Sequence, residues 1–171
     1  MLIVGTQRVI MDGDPIVIDQ MDPAESEAVS ALFAEIVNEL PYYNAAAKAS
    51  EIEQYSAGGL RNLIVSDPSS VLVAKTDNIV GFCLSRYDDG LIWISWFGVH
   101  PKYRRRKIAS ALLNTLEHTV SDRGSHKVWC DSRTNNDPSI AILTKRHYQQ
   151  ICTVRNHWYG QDFILWEKVI G

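Results

Sequence analysis

Apolar positions along the chain change period several times, and each change marks an element. Ile16-Val17-Ile18 reads as a strand, preceded by a short strand or hairpin arm within Met1–Met11 and an Asp12-Gly13-Asp14-Pro15 turn. Val29, Leu32, Phe33, Ile36 and Val37 then recur at helical spacing up to Leu40. Asp22-Pro23 supplies the cap and first-turn proline of that helix, and Pro41 stops it. A less apolar helix is predicted over Ala45–Tyr55, ended by Gly58-Gly59, with Leu60–Val65 a further helical turn or extended piece. The period then drops to two. Val71–Lys75, Ile79–Arg86 and Leu91–Val99 are strands joined by tight polar turns, an antiparallel meander. Ile108, Ala111, Leu112, Thr115 and Leu116 mark one face of the next helix. Lys127–Cys130 is a short strand; the helix-length connection predicts that it lies parallel to Leu91–Val99. A helix from Asp137-Pro138 follows, then strands over Gln150–Trp158 and Phe163–Ile170. The pattern predicts an α/β chain with a mixed sheet, read as one domain over 1–171 with 1–14 as an N-terminal extension.

Between the long strand and the cationic helix start lies Val99-His-Pro-Lys-Tyr-Arg-Arg-Arg-Lys-Ile-Ala109. Helix N-termini present unpaired amides and the positive end of the dipole, so this position favours an anion, and the lysine and arginine side chains reinforce it. A phosphate-bearing ligand is the first expectation; a solvated basic patch or a nucleic-acid contact through 102–107 is the alternative. Net charge is −3 over 171 residues, so the basic run is a local island, which argues against a general nucleic-acid binder. Three cysteines without a CxxC pair argue against a disulfide framework or structural zinc and for a reducing, cytoplasmic setting. His118, His126, His147 and His157 show no metal-ligand spacing, so no metal is expected. No run is long and apolar enough to span a membrane, and no signal peptide is expected.

Residues 99–109 resemble the acyl-CoA signature of the GNAT (GCN5-related N-acetyltransferase) family. Val99 and Pro101 match its strand exit, and Arg104, Ile108 and Ala109 match its Gln/Arg-x-x-Gly-x-Gly/Ala loop. Asn136, Ser139, Ile140, Lys145 and Tyr148 match a second helix pattern of the family, with one extra residue before its second half. Arg105, Lys107 and His147 stand where the family commonly has glycine. The resemblance implies a GNAT-like mixed sheet flanked by helices. It also implies acetyl-CoA as cosubstrate and transfer of its acetyl group by direct attack of a primary amine of a small molecule or protein. The cofactor would meet Phe97, Val99, Arg104, Arg105, Arg106, Lys107, Ile108 and Ala109, with Asn136 and Ser139 facing it from the following helix. The resemblance allows a homodimer.

The catalytic groups are less clearly marked. The family often places a glutamate on the central strand, yet Leu91–Val99 contains no carboxylate. Asp131, which ends the neighbouring strand, and Asp88, just outside the central one, are the candidate bases. The family's tyrosine acid is replaced by Leu143, leaving Tyr159 and Tyr148 as candidates. Tyr42 and Tyr43, at the Pro41 break, are expected to border the acceptor groove. The missing glutamate and tyrosine also fit a second class of function, a non-catalytic CoA-binding or interaction module on the same fold.

Overall fold

A computed structural model describes residues 7–11 and 14–170 of the chain. The strands are β1 (Gln7–Met11), β2 (Asp14–Gln20), β3 (Val71–Lys75), β4 (Ile79–Asp88), β5 (Leu91–Val99), β6 (Lys127–Arg133), β7 (Gln149–Val154) and β8 (Phe163–Val169). The helices are α1 (Ser26–Glu39), α2 (Ala45–Gln54), α3 (Ala57–Ser66), α4 (Ile108–Thr119) and α5 (Asp137–Lys145). All eight strands form one sheet in the order β1-β2-β3-β4-β5-β6-β8-β7. Only β5 and β6 pair in parallel, joined by the α4 crossover; every other neighbouring pair is antiparallel. The predicted meander is β3-β4-β5.

Strand alternation divides the core between the two faces of the sheet. Leu72, Cys83, Ile92, Val128 and Trp166 point to one face, where α4 buries Ile108, Leu112, Leu113 and Leu116. Val71, Val73, Phe82 and Leu84 point to the other, beneath Val29, Phe33 and Val37 of α1 and Leu60 of α3. Each fully buried leucine or phenylalanine contributes roughly 1.5–3 kcal/mol by leaving water. Gly98 is required on the second face, because a Cβ there would lie 2.8 Å from the Phe82 ring.

Several boundaries differ from the sequence expectations. Gly58-Gly59 does not end a helix; both residues lie inside α3. α2 already stops at Gln54, and the Ser56 hydroxyl caps α3 by accepting from the Gly59 amide. A Cβ on Gly59 would lie 2.0 Å from the Gln54 carbonyl oxygen, so glycine here permits two helices to abut. β6 runs to Arg133, beyond Cys130, because β8 pairs with it along its whole length. β7 ends at Val154, and a 3-10 turn at Trp158–Gly160 leads into β8. Within the expected N-terminal extension, Gln7–Met11 pairs with β2 as a sheet strand. The remainder of the expected hairpin arm and turn, at 1–6 and 12–13, lies outside the described residues.

Candidate active site

The site begins with a fork in the sheet. β5 and β6 pair from Leu91↔Lys127 to Ile94↔Cys130, and the pairing stops there. Immediately beyond, β5 bulges: Ser85 pairs with Ile94 and Leu84 with Trp96, leaving Ser95 as the extra residue. A bulge kinks a strand and reverses which residues face each side. Ile92 and Ile94 face α4 before it, and Phe97 and Val99 do so after it. The backbone from Ser95 to Val99 therefore turns away from Asp131–Arg133, and two clefts open at the fork.

The first cleft has a volume of about 440 Å³. One wall is β5 from Ile94 to Val99, and another is the turn into α4. Arg105 and Lys107 both adopt left-handed backbone angles, with φ of 64° and 59°. These are positions where the related pattern has glycine, so the loop keeps a glycine-like path with charged residues on it. His147 does the same at φ 64°. It ends α5 in a Schellman arrangement, its amide donating to the Thr144 carbonyl and that of Tyr148 to the Leu143 carbonyl. The first backbone bond of α4 runs from the Ala111 amide to the Lys107 carbonyl, so the preceding helical amides point toward the cleft end without intrahelical acceptors. The Arg104 Nε braces the turn by donating to the Val99 carbonyl at 3.2 Å.

The second cleft, of about 300 Å³, lies across the fork. Trp93, Tyr55, Trp158 and Tyr159 wall it, with Glu51 from α2 and Arg86 from β4. Tyr43, Ser95, Trp96, Asp131 and Arg133 line both clefts and form their junction. Arg133 is only 3% exposed. Its guanidinium carbon lies 3.6 Å from the Tyr43 ring centre and 4.8 Å from that of Phe163, and it donates to the Gln161 side-chain carbonyl. Gln161 in turn donates to the Tyr42 carbonyl at 2.6 Å. Burial pushes the Asp131 carboxyl up to about 7, against the pull of Arg133 and Arg86, and Glu51 adds to the rise. Burial also raises Glu51, although the Trp96 indole N–H donates to it at 2.9 Å.

Most of the residues singled out from the sequence meet here. Phe97, Val99, Arg104, Arg105, Lys107, Ile108, Ala109, Asn136 and Ser139 line the first cleft; Tyr43 lines both clefts, whereas Tyr42, expected beside the acceptor, lines only the first. Arg106 turns aside, its guanidinium 5.3 Å from the Tyr103 ring centre. Asn136 caps α5 by accepting from the Ser139 amide at 3.3 Å. Tyr159 reaches only the second cleft. Tyr148 lines neither: it is 4% exposed, and its hydroxyl donates to Glu117 at 3.2 Å. Asp88 also lines neither, being exposed at the β4–β5 hairpin with Arg86 3.9 Å away. Sequence reasoning missed Arg133 and Glu51. Extending the alternation of Trp129 and Asp131 by two positions would have placed Arg133 on the cleft face; Glu51 carries no such signal.

The acetyltransferase (GNAT) family profile matches residues 31–148, the span from α1 through the first cleft to Tyr148. The chain belongs to this family. An acetyltransferase of Pectobacterium atrosepticum is 36% identical over 86 residues, which cover 50% of this chain and 61% of that protein. The chain thus spans about three fifths of the length of such relatives. Among solved structures, the PaiA N-acetyltransferase of Thermoplasma acidophilum in complex with coenzyme A superimposes with a TM-score of 0.78 at 23% identity, covering 90% of this chain and 98% of that one. YncA of Salmonella typhimurium with acetyl-CoA gives 0.68 at 16% identity, covering 91% and 94%. These likenesses show the GNAT fold. The matched span contains the bulge, the fork and the loop into α4. Within it, Arg105, Lys107 and His147 hold left-handed backbone angles without being glycine.

Proposed function

We propose that the protein transfers the acetyl group of acetyl-CoA to a primary amine by direct attack. The observation that carries this reading is the meeting of two clefts at one half-buried carboxylate, Asp131. The first cleft suits a CoA thioester. Helical amides and the Arg104, Arg105 and Lys107 side chains attract pyrophosphate oxygens, and the β5 edge freed by the bulge offers backbone groups to the pantetheine arm. The liganded fold neighbours, one with coenzyme A and one with acetyl-CoA, support the choice of cosubstrate.

The amine enters through the second cleft. Asp131 accepts its proton as nitrogen attacks the thioester carbonyl carbon. The tetrahedral intermediate collapses with cleavage of the carbon–sulfur bond, giving the amide and the CoA thiolate, which takes a proton from solvent. Asp131 thus fills the role left open by the absent β5 glutamate. Asp88 and Tyr148 are given no role, because neither borders a cleft, and Tyr159 is placed on the acceptor side. The buried, unpaired Cys83 and Cys130 support a reducing, cytoplasmic setting. No helix among the described residues is long and apolar enough to cross a membrane.

Thiol release from acetyl-CoA across a panel of amines tests the reading. Charge reversal of exposed Arg105 and Lys107 to glutamate should raise the KM for acetyl-CoA about tenfold or more, since attraction becomes repulsion. It should leave relative preference among amines unchanged. Coenzyme binding without thiol release from any amine would favour the non-catalytic module instead.

A further inference from the structure

The second cleft carries information about the acceptor itself. Seven of its thirteen lining residues are aromatic. Its two guanidiniums are already engaged. Arg86 lies over Trp93, 5.3 Å from the ring centre and 3.9 Å from Asp88. Arg133 lies over Tyr43 and Phe163 and donates to Gln161. The carboxylates feel the nearby Arg133 and Arg86 charges but make few hydrogen bonds. Glu51 accepts one indole N–H, from Trp96, and among the described residues no side chain hydrogen-bonds Asp131. Aromatic faces and under-coordinated carboxylates both attract cations.

Two hydrogen bonds join the segments beside the cleft. Asn44, at the start of α2, donates to the Tyr159 carbonyl at 3.3 Å, and Gln161 donates to the Tyr42 carbonyl at 2.6 Å. These bonds tie the α1–α2 loop to the β7–β8 connection. The cleft beside them has a volume of about 300 Å³, a space suited to a small amine.

We propose that the acceptor is a small amine carrying a second positive charge, and that Glu51 is the residue selecting it. The attacked amine lies at Asp131, at the junction with the first cleft. The second ammonium lies against Glu51 and the aromatic wall. Two positive charges would also relieve the burial that raises both carboxyls. The inference rests on the acetyl-transfer reading for its chemistry, but its binding claim is separable from turnover.

Tryptophan fluorescence of the full chain, loaded with CoA, provides the test, because Trp93, Trp96 and Trp158 line the cleft. The titrants are a four-carbon terminal diamine, butylamine, and a short peptide with a free N-terminus. The diamine should bind at least about tenfold more tightly than butylamine, the effect of one charge-assisted hydrogen bond. Glu51→Gln, an isosteric change whose folding is checked by thermal melting, should bring that ratio toward one. Thiol release from acetyl-CoA in parallel samples should follow the same order. Equal affinities in the unmodified protein, a ratio untouched by Glu51→Gln, or more efficient turnover of the peptide would each overturn the inference. Diamine preference without thiol release would overturn acetyl transfer and leave the selectivity in place.

Discussion

Asp131 shows how one residue can work against the fold that holds it. Its folded-state value of about 7 lies above the ordinary aspartate value of 3.8, so the folded protein holds a proton that the unfolded chain has lost between those limits. Stability therefore falls as pH rises from about 4 to 7. Asp131→Asn should remove this penalty and raise stability at pH 7.5 by up to about 4 kcal/mol, the full value of the shift. Near pH 4 the two proteins should differ little. Urea denaturation at both values measures the difference, and equal stabilities at pH 7.5 would contradict the burial of the carboxylate. Part of this site was legible residue by residue. Asp131 was one of two carboxylates marked by position, at the end of the strand beside the central one, and the basic turn pointed to an anion-favouring helix start. The Tyr148 motif position could not show its partner Glu117, which reaches it from α4 across 31 residues.

Among the elements, α4 has its N-terminus at the first cleft and its body anchored by a buried ionic cluster. Glu117 accepts from two Arg146 nitrogens, at 2.8 and 3.1 Å, and from Lys168 at 2.6 Å. Arg146 also donates to the Ser110 carbonyl at 3.1 Å, which ties the end of α5 to the first turn of α4. Burial alone would raise the Glu117 carboxyl, but hydrogen bonds and charges from Arg146 and Lys168 outweigh it and hold it below the usual value. A depressed carboxylate stabilises the fold above its unfolded value and loses that contribution as pH falls through the folded value. Arg146→Ala should cost about 2–4 kcal/mol, because it leaves a buried charge with one partner fewer. It should also raise the KM for acetyl-CoA while sparing amine preference. A chemical-denaturation midpoint and paired KM values check both parts. The helices and the meander were legible from apolar period. The α2–α3 junction was not: a pair of glycines reads as a stop, and only the close approach of Gly59 to the Gln54 carbonyl shows that they permit a helix to begin.

At the scale of the whole molecule, the sheet opens two clefts on opposite sides of one fork. The parallel β5–β6 pair was inferable from the length of the α4 crossover. The Ser95 bulge was not, since an apolar run such as Leu91–Val99 looks continuous whether or not a residue is skipped. Without the bulge the pairing of β5 with β6 could continue and there would be no junction at Asp131. The most direct test of this account is the pH profile of thiol release from acetyl-CoA with a reactive amine, for the unmodified protein and Asp131→Asn. The account predicts that kcat/KM of the unmodified protein rises through pH about 7 as Asp131 ionises. It predicts that Asp131→Asn loses this rise and at least about a hundredfold in rate, with the KM for acetyl-CoA nearly unchanged. A variant that keeps both the rate and the profile would contradict it.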